Sequence, residues 1–76
     1  MDYVDMGKRI RKQRQLIGLT QQELAERIGV STSFVGHVER GTRKASLETV
    51  INIANALGVS ADTLLQDSLD VMTKPL

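Results

Sequence analysis

Three near-copies of one four-residue phrase constrain this chain more than any other feature: Ile17-Gly18-Leu19-Thr20, Ile28-Gly29-Val30-Ser31 and Leu57-Gly58-Val59-Ser60. Each phrase ends one helix and begins another. The glycine supplies the left-handed conformation that closes a helix C-terminus, and the Thr or Ser two residues later accepts from orphan N–H groups of the next helix. An apolar residue precedes each cap and another lies four after it: Leu19 with Leu24, Val30 with Val35, Val59 with Leu64. Such pairs are hydrophobic staples, and they fix the angle at which the chain enters each helix. Residues 20–40 therefore read as two short helices joined by a tight turn.

Extending the periodicity along the chain predicts five helices and no strand, an all-α fold. Helix one covers about residues 3–17, with Met6, Ile10 and Ile17 inward. Helix two, Gln21–Ile28, starts with a Thr20/Glu23 capping box and buries Leu24, Ala25 and Ile28. Helix three, Thr32–Arg40, turns Val35 and Val38 inward and stops at Gly41. After a basic loop, Thr42-Arg43-Lys44-Ala45, Ser46 caps helix four, where Leu47, Val50, Ile51, Ala54 and Leu57 fall at helical spacing. Helix five covers about residues 61–66. One domain over residues 1–66 is expected, followed by a tail, residues 67–76, that carries no trustworthy period and ends near Pro75.

At 76 residues a single core is small, and this chain has nothing covalent to reinforce it. It contains no Cys, and its one histidine, His37, has no second ligand nearby, so neither a disulfide nor a metal site is expected, and no cofactor. No apolar run follows the N-terminus or reaches spanning length, which predicts neither a signal peptide nor a membrane segment and a cytoplasmic location. The net charge of +1 hides an asymmetry. Residues 1–45 carry a net +4 and residues 46–76 a net −3, so the first part can face an anion.

The outward face of helix three follows from 100° per residue. With the core direction midway between Val35 and Val38, Ser33, His37 and Arg40 lie opposite, Gly36 is beside them and Thr32 is at the N-terminal flank. Gly36 suits close approach of another surface, either DNA or a neighbouring helix. Thr, Ser and His side chains are able to hydrogen-bond base edges in a major groove. Phe34, at the flank, is assigned equally to packing and to contact with DNA.

Residues 14–64 resemble the repressor/Cro-type helix-turn-helix family, also called the xenobiotic response element family. The resemblance is carried, in order, by Leu19-Thr20-Gln21-Gln22-Glu23-Leu24-Ala25, Gly29-Val30-Ser31, Val38-Glu39-Arg40-Gly41, Ser46-Leu47-Glu48-Thr49 and Ala56-Leu57-Gly58-Val59-Ser60. Ala45 departs from the Pro that this family often places before helix four. The resemblance implies a compact five-helix, lambda-repressor-like domain that binds operator DNA as a dimer. It implies base reading by Thr32, Ser33 and His37, and phosphate binding by Gln21, Arg40, Arg43 and Lys44. It also pairs Arg14, which breaks the apolar stripe of helix one, with Glu39 as a structural ion pair. Lys8, Arg9, Arg11 and Lys12 read as a solvated face.

Among function classes, a sequence-specific transcriptional regulator, in particular a repressor on double-stranded DNA, accounts for most of these features. A homodimer is expected to form through helix five and the tail, using Val59, Leu65, Leu69, Val71 and Met72. The alternatives are an antitoxin or restriction–modification controller protein of the same fold, or a module that binds a protein partner instead of DNA. An enzyme is not expected, because His37 has no nucleophile or carboxylate constellation. RNA binding by base stacking is poorly supported by two aromatics, Tyr3 and Phe34.

Overall fold

A carboxylate or hydroxyl stands at the start of every helix in the computed structural model, which describes residues 2–65. The elements are α1 (Tyr3–Leu16), α2 (Gln21–Ile28), α3 (Thr32–Arg40), α4 (Leu47–Leu57) and α5 (Ala61–Leu64). Asp2 accepts from the Val4 and Asp5 N–H groups at 3.0 and 3.1 Å. The Thr20 hydroxyl accepts from Glu23 N–H at 3.0 Å, and the Glu23 carboxylate accepts from Thr20 N–H at 3.0 Å, closing the capping box. Ser31, Ser46 and Ser60 cap α3, α4 and α5 through Phe34, Thr49 and Thr63. Each cap is worth about 1 kcal/mol. Gly18, Gly29 and Gly58 take left-handed φ of 74°, 74° and 71°, and Gly41 follows at 72°.

Two of the capping carboxylates make stability sensitive to acid. Accepting the Asp5 backbone N–H holds the Asp2 carboxyl below its usual range, and accepting the Thr20 backbone N–H does the same for Glu23. A depressed folded-state pKa means that the unfolded chain takes up protons first. The contribution is therefore present at neutral pH and is lost as the pH falls through the carboxylate range, below about pH 5. Asp2→Asn and Glu23→Gln are expected to flatten the fall of melting temperature with acid. Equal slopes for variant and parent would remove these caps from the acid response.

The core is made by all five helices. Met6, Ile10, Leu19, Leu24, Ala25, Val35, Val38, Ala45, Val50, Ile53, Ala54, Leu57 and Leu64 are buried, and both members of the Leu19/Leu24 staple are among them. α3 packs on α1 and α2, α4 packs on α2 and α5, and α1 closes the bundle against α5 and α4. The α1–α3 crossing is close enough to touch backbone. A Cβ on Gly7 would fall against the carbonyl oxygens of Glu39 and, at 2.5 Å, Val38.

Several expectations drawn from periodicity fail. Ile17 is not inward: α1 stops at Leu16, the chain reverses at Gly18, and Leu19 takes the core position while Ile17 stays 49% exposed. Ile28 is only half-buried, against the rim of the core. On α4, Leu47 and Ile51 are 67% and 43% exposed, whereas Ile53 is buried. That helix is apolar on more than one side, so spacing alone does not select its inner face. α5 ends at Leu64, and the tail at residues 67–76 lies outside the described residues.

Candidate nucleic-acid interface

α2 and α3 meet at Gly29, and their angle is set by a polar cluster buried behind them. Arg14 on α1 donates from Nε to Oε2 of Glu39 at 2.6 Å and from Nη2 to Oε1 at 2.9 Å. Its Nη1 donates to the Leu19 carbonyl at 2.8 Å. Gln21, at the start of α2, donates from Nε2 to Oε1 of Glu39 at 3.1 Å. One carboxylate thus ties α1, α2 and α3 together. Hydrogen bonding to Glu39 raises the Arg14 pKa above its ordinary value, so the guanidinium is charged whenever the fold exists. Gln21 is turned inward to this cluster while still marking the N-terminal end of α2, where the helix dipole favours an anion.

Beyond the cluster, α3 presents the face expected of it. Thr32, Ser33 and Arg40 are exposed and His37 is half-buried. The Thr42 hydroxyl donates to the His37 carbonyl at 3.1 Å. Having given its one proton away, that oxygen accepts from His37 Nδ1 at 3.0 Å. In the neutral ring this leaves Nε2 as an acceptor. Thr42 therefore orients the imidazole and selects its tautomer.

Gly36 lies beside this face and is buried. The three atoms nearest to a Cβ there belong to the Arg40 guanidinium. A mid-helix glycine costs about 1 kcal/mol relative to Ala, and here the space it leaves is filled by a side chain of the same helix.

The basic loop is held by the two aromatics. The Arg43 guanidinium sits over the Phe34 ring at 5.3 Å, and the Lys44 ammonium over the Tyr3 ring at 5.8 Å. Phe34 takes the packing role, partly buried against the core, and it also carries a cation on its outer face. Contacts of this kind are worth about 0.5 to 1 kcal/mol at exposed sites, enough to bias both cations toward one position. Sequence reasoning missed the pairing because Tyr3 and Lys44 are brought together only by packing of the α1 N-terminus against the loop. At that contact a Cβ on Gly41 would come within 2.6 Å of Val4 Cα.

Polar side chains on one helix face, cations beside them and a braced turn behind them suit a polyanion with readable edges. Residues 10–64 match the family model described as helix-turn-helix. The chain is 47% identical over 58 residues to an uncharacterized HTH-type transcriptional regulator of Mycobacterium tuberculosis, a match that covers 76% of this chain and 41% of the relative. It thus spans about two fifths of that relative's length. Among solved structures, the restriction–modification controller protein C.AhdI from Aeromonas hydrophila superposes with a TM-score of 0.80 at 41% identity, covering 83% of this chain and 96% of that one. SinR, a master regulator for biofilm formation solved in complex with DNA, superposes with a TM-score of 0.74 at 34% identity, covering 79% and 97%.

Proposed function

This chain belongs to the helix-turn-helix family, and from that membership we propose that it is a DNA-binding transcriptional regulator that represses by occupying a two-fold operator. The observation that carries this reading is the uncovered polar face of α3, flanked by two cations that aromatic rings hold in place. α3 enters the major groove, where Thr32, Ser33 and His37 read base edges. Arg43 and Lys44 hold phosphates, joined by Gln21 at the N-terminal end of α2. That SinR was solved in complex with DNA supports the DNA-binding reading. Similarity to C.AhdI favours a second reading of the same surface, in which the regulated genes are those of a restriction–modification system.

The working unit is a homodimer in the cytoplasm, with residues 1–66 as its DNA-binding domain. One short recognition helix makes few base contacts, and doubling the site supplies the specificity needed against genomic competitors. Exposed Leu47 and Ile51 on α4 and half-buried Val59 and Leu65 offer apolar surface in the acidic part of the chain. Leu69, Val71 and Met72, assigned to the same surface from the sequence, lie outside the described residues.

Selection from random duplexes is expected to return a palindrome with half-sites about 10 to 10.5 base pairs apart. Binding should fall with salt at about −0.9 in log–log slope per phosphate neutralised. Converting both Arg43 and Lys44 to Ala removes two cations per protomer, so the slope should flatten by about 3 to 4 for a dimer, for all sequences alike. An unchanged slope would take the loop out of the phosphate contacts, and salt-independent affinity would end the DNA-binding reading.

A further inference from the structure

The centre of the outer face of α3 is occupied by Arg40 together with Ser33. Taking the core direction from Val35 and Val38, these two residues lie closest to the opposite direction, while Gly36 and His37 flank them. Helical side chains run back toward the N-terminus, and Arg40 follows that rule over a residue with no side chain of its own. A Cβ at Gly36 would lie 3.0 Å from Nη1, 3.5 Å from Nη2 and 3.6 Å from Cζ of Arg40. The guanidinium therefore rests against the helix beside the buried Gly36, while Arg40 itself stays exposed. Four residues at 1.5 Å each bring the charge about 6 Å back along the axis, toward the middle of the face. Arg43 and Lys44, by contrast, are carried on rings at its edge.

We propose that Arg40 is a base-reading residue, its guanidinium donating two parallel hydrogen bonds to O6 and N7 of an operator guanine, and that Gly36 is the positioning residue that lets it lie there. This rests on the operator-binding function proposed for α3, and it moves Arg40 out of the phosphate set in which the family resemblance puts it. The middle of a helix face seated in the major groove points to the base edges, whereas its margins point to the phosphates. A planar, five-donor guanidinium at the middle matches the two acceptors of guanine, and a lysine there would not.

The test uses the full chain and the duplex obtained by random selection. The variants are Arg40→Lys, Arg40→Ala and Gly36→Ala, and 7-deazaguanine, which lacks the N7 acceptor, replaces each consensus guanine in turn. At one guanine per half-site the substitution should weaken the parent by about 5- to 150-fold and leave Arg40→Ala unaffected. Arg40→Lys should keep the salt slope and lose preference for that guanine. Gly36→Ala should hold or raise the melting temperature and reduce the same preference, because the added methyl displaces only the end of a flexible side chain. Indifference to 7-deazaguanine, or a Lys variant with undiminished guanine preference, overturns the proposal and returns Arg40 to the phosphates. A selection that yields no consensus overturns operator binding itself, whereas a consensus without an Arg40-dependent guanine overturns this inference alone.

Discussion

Replacing either Arg14 or Glu39 with Ala is expected to cost about 3 to 5 kcal/mol, because each substitution strands a buried charge. The two residues are 8% and 5% exposed. Without Arg14 the Glu39 carboxylate keeps only the Gln21 amide, and without Glu39 the guanidinium keeps only the Leu19 carbonyl. A small domain holds about 5 to 15 kcal/mol in total, and for one of this size each kcal/mol shifts the melting temperature by about 4 to 8 °C. Either single variant should thus melt at least about 12 °C lower or be largely unfolded. The double Ala variant should cost less than the two singles combined, since nothing charged is left unpaired. Arg14→Lys should recover little, because an ammonium cannot span both carboxylate oxygens and the Leu19 carbonyl in the same plane. Strict additivity in the thermal cycle would contradict the bonding seen between these side chains.

Gly7→Ala tests packing against propensity, since the two predict opposite signs. In the interior of α1 an alanine should gain about 1 kcal/mol over glycine. The added methyl, however, meets the Val38 and Glu39 carbonyl groups, which belong to the α3 backbone and cannot rotate aside as a side chain would. Forced overpacking of this kind costs about 1 to 3 kcal/mol or more, so a net loss is expected, with α1 pushed away from α3. Because α1 also supplies Arg14 to the cluster that sets the α2–α3 angle, operator affinity should fall along with the melting temperature. Gly36→Ala serves as the control: it is the same substitution on a helix, but its nearest neighbours are the flexible end of Arg40. A Gly7→Ala protein as stable as the parent would mean that the helices do not cross so closely.

The contrast between these two glycines marks the limit of what one-dimensional pattern conveys. Both read as helix-interior glycines. At Gly36 the polar face pointed to close approach of DNA or a neighbouring helix, whereas the nearest atoms there are those of Arg40 on the same helix. Gly7 gave no such sign, because the backbone it admits comes from a helix about thirty residues later in the chain. The pair of exposed α4 residues, Leu47 and Ile51, has a similar cause. With Val50, Ile53, Ala54, Ala56 and Leu57 also apolar, the helix offers several stripes, and only its contacts with α2, α5 and α1 select the buried one. Arg14 and Glu39 were paired through family resemblance; Arg14 alone announced itself, as a charge on an apolar stripe.

By itself the sequence determined where each helix starts and where α2, α3 and α4 stop, because caps, capping box and left-handed glycines are local chemistry acting within four residues. The stripe that turns inward on α3 was equally local, since Val35 and Val38 leave no competing side. Tertiary structure decided which apolar stripe of α4 is buried, how closely α1 crosses α3, and that Tyr3 and Phe34 carry the two loop cations. It also decided that Gln21 turns to Glu39. These outcomes depend on distances between segments far apart in the chain, and such distances are fixed only when the helices pack.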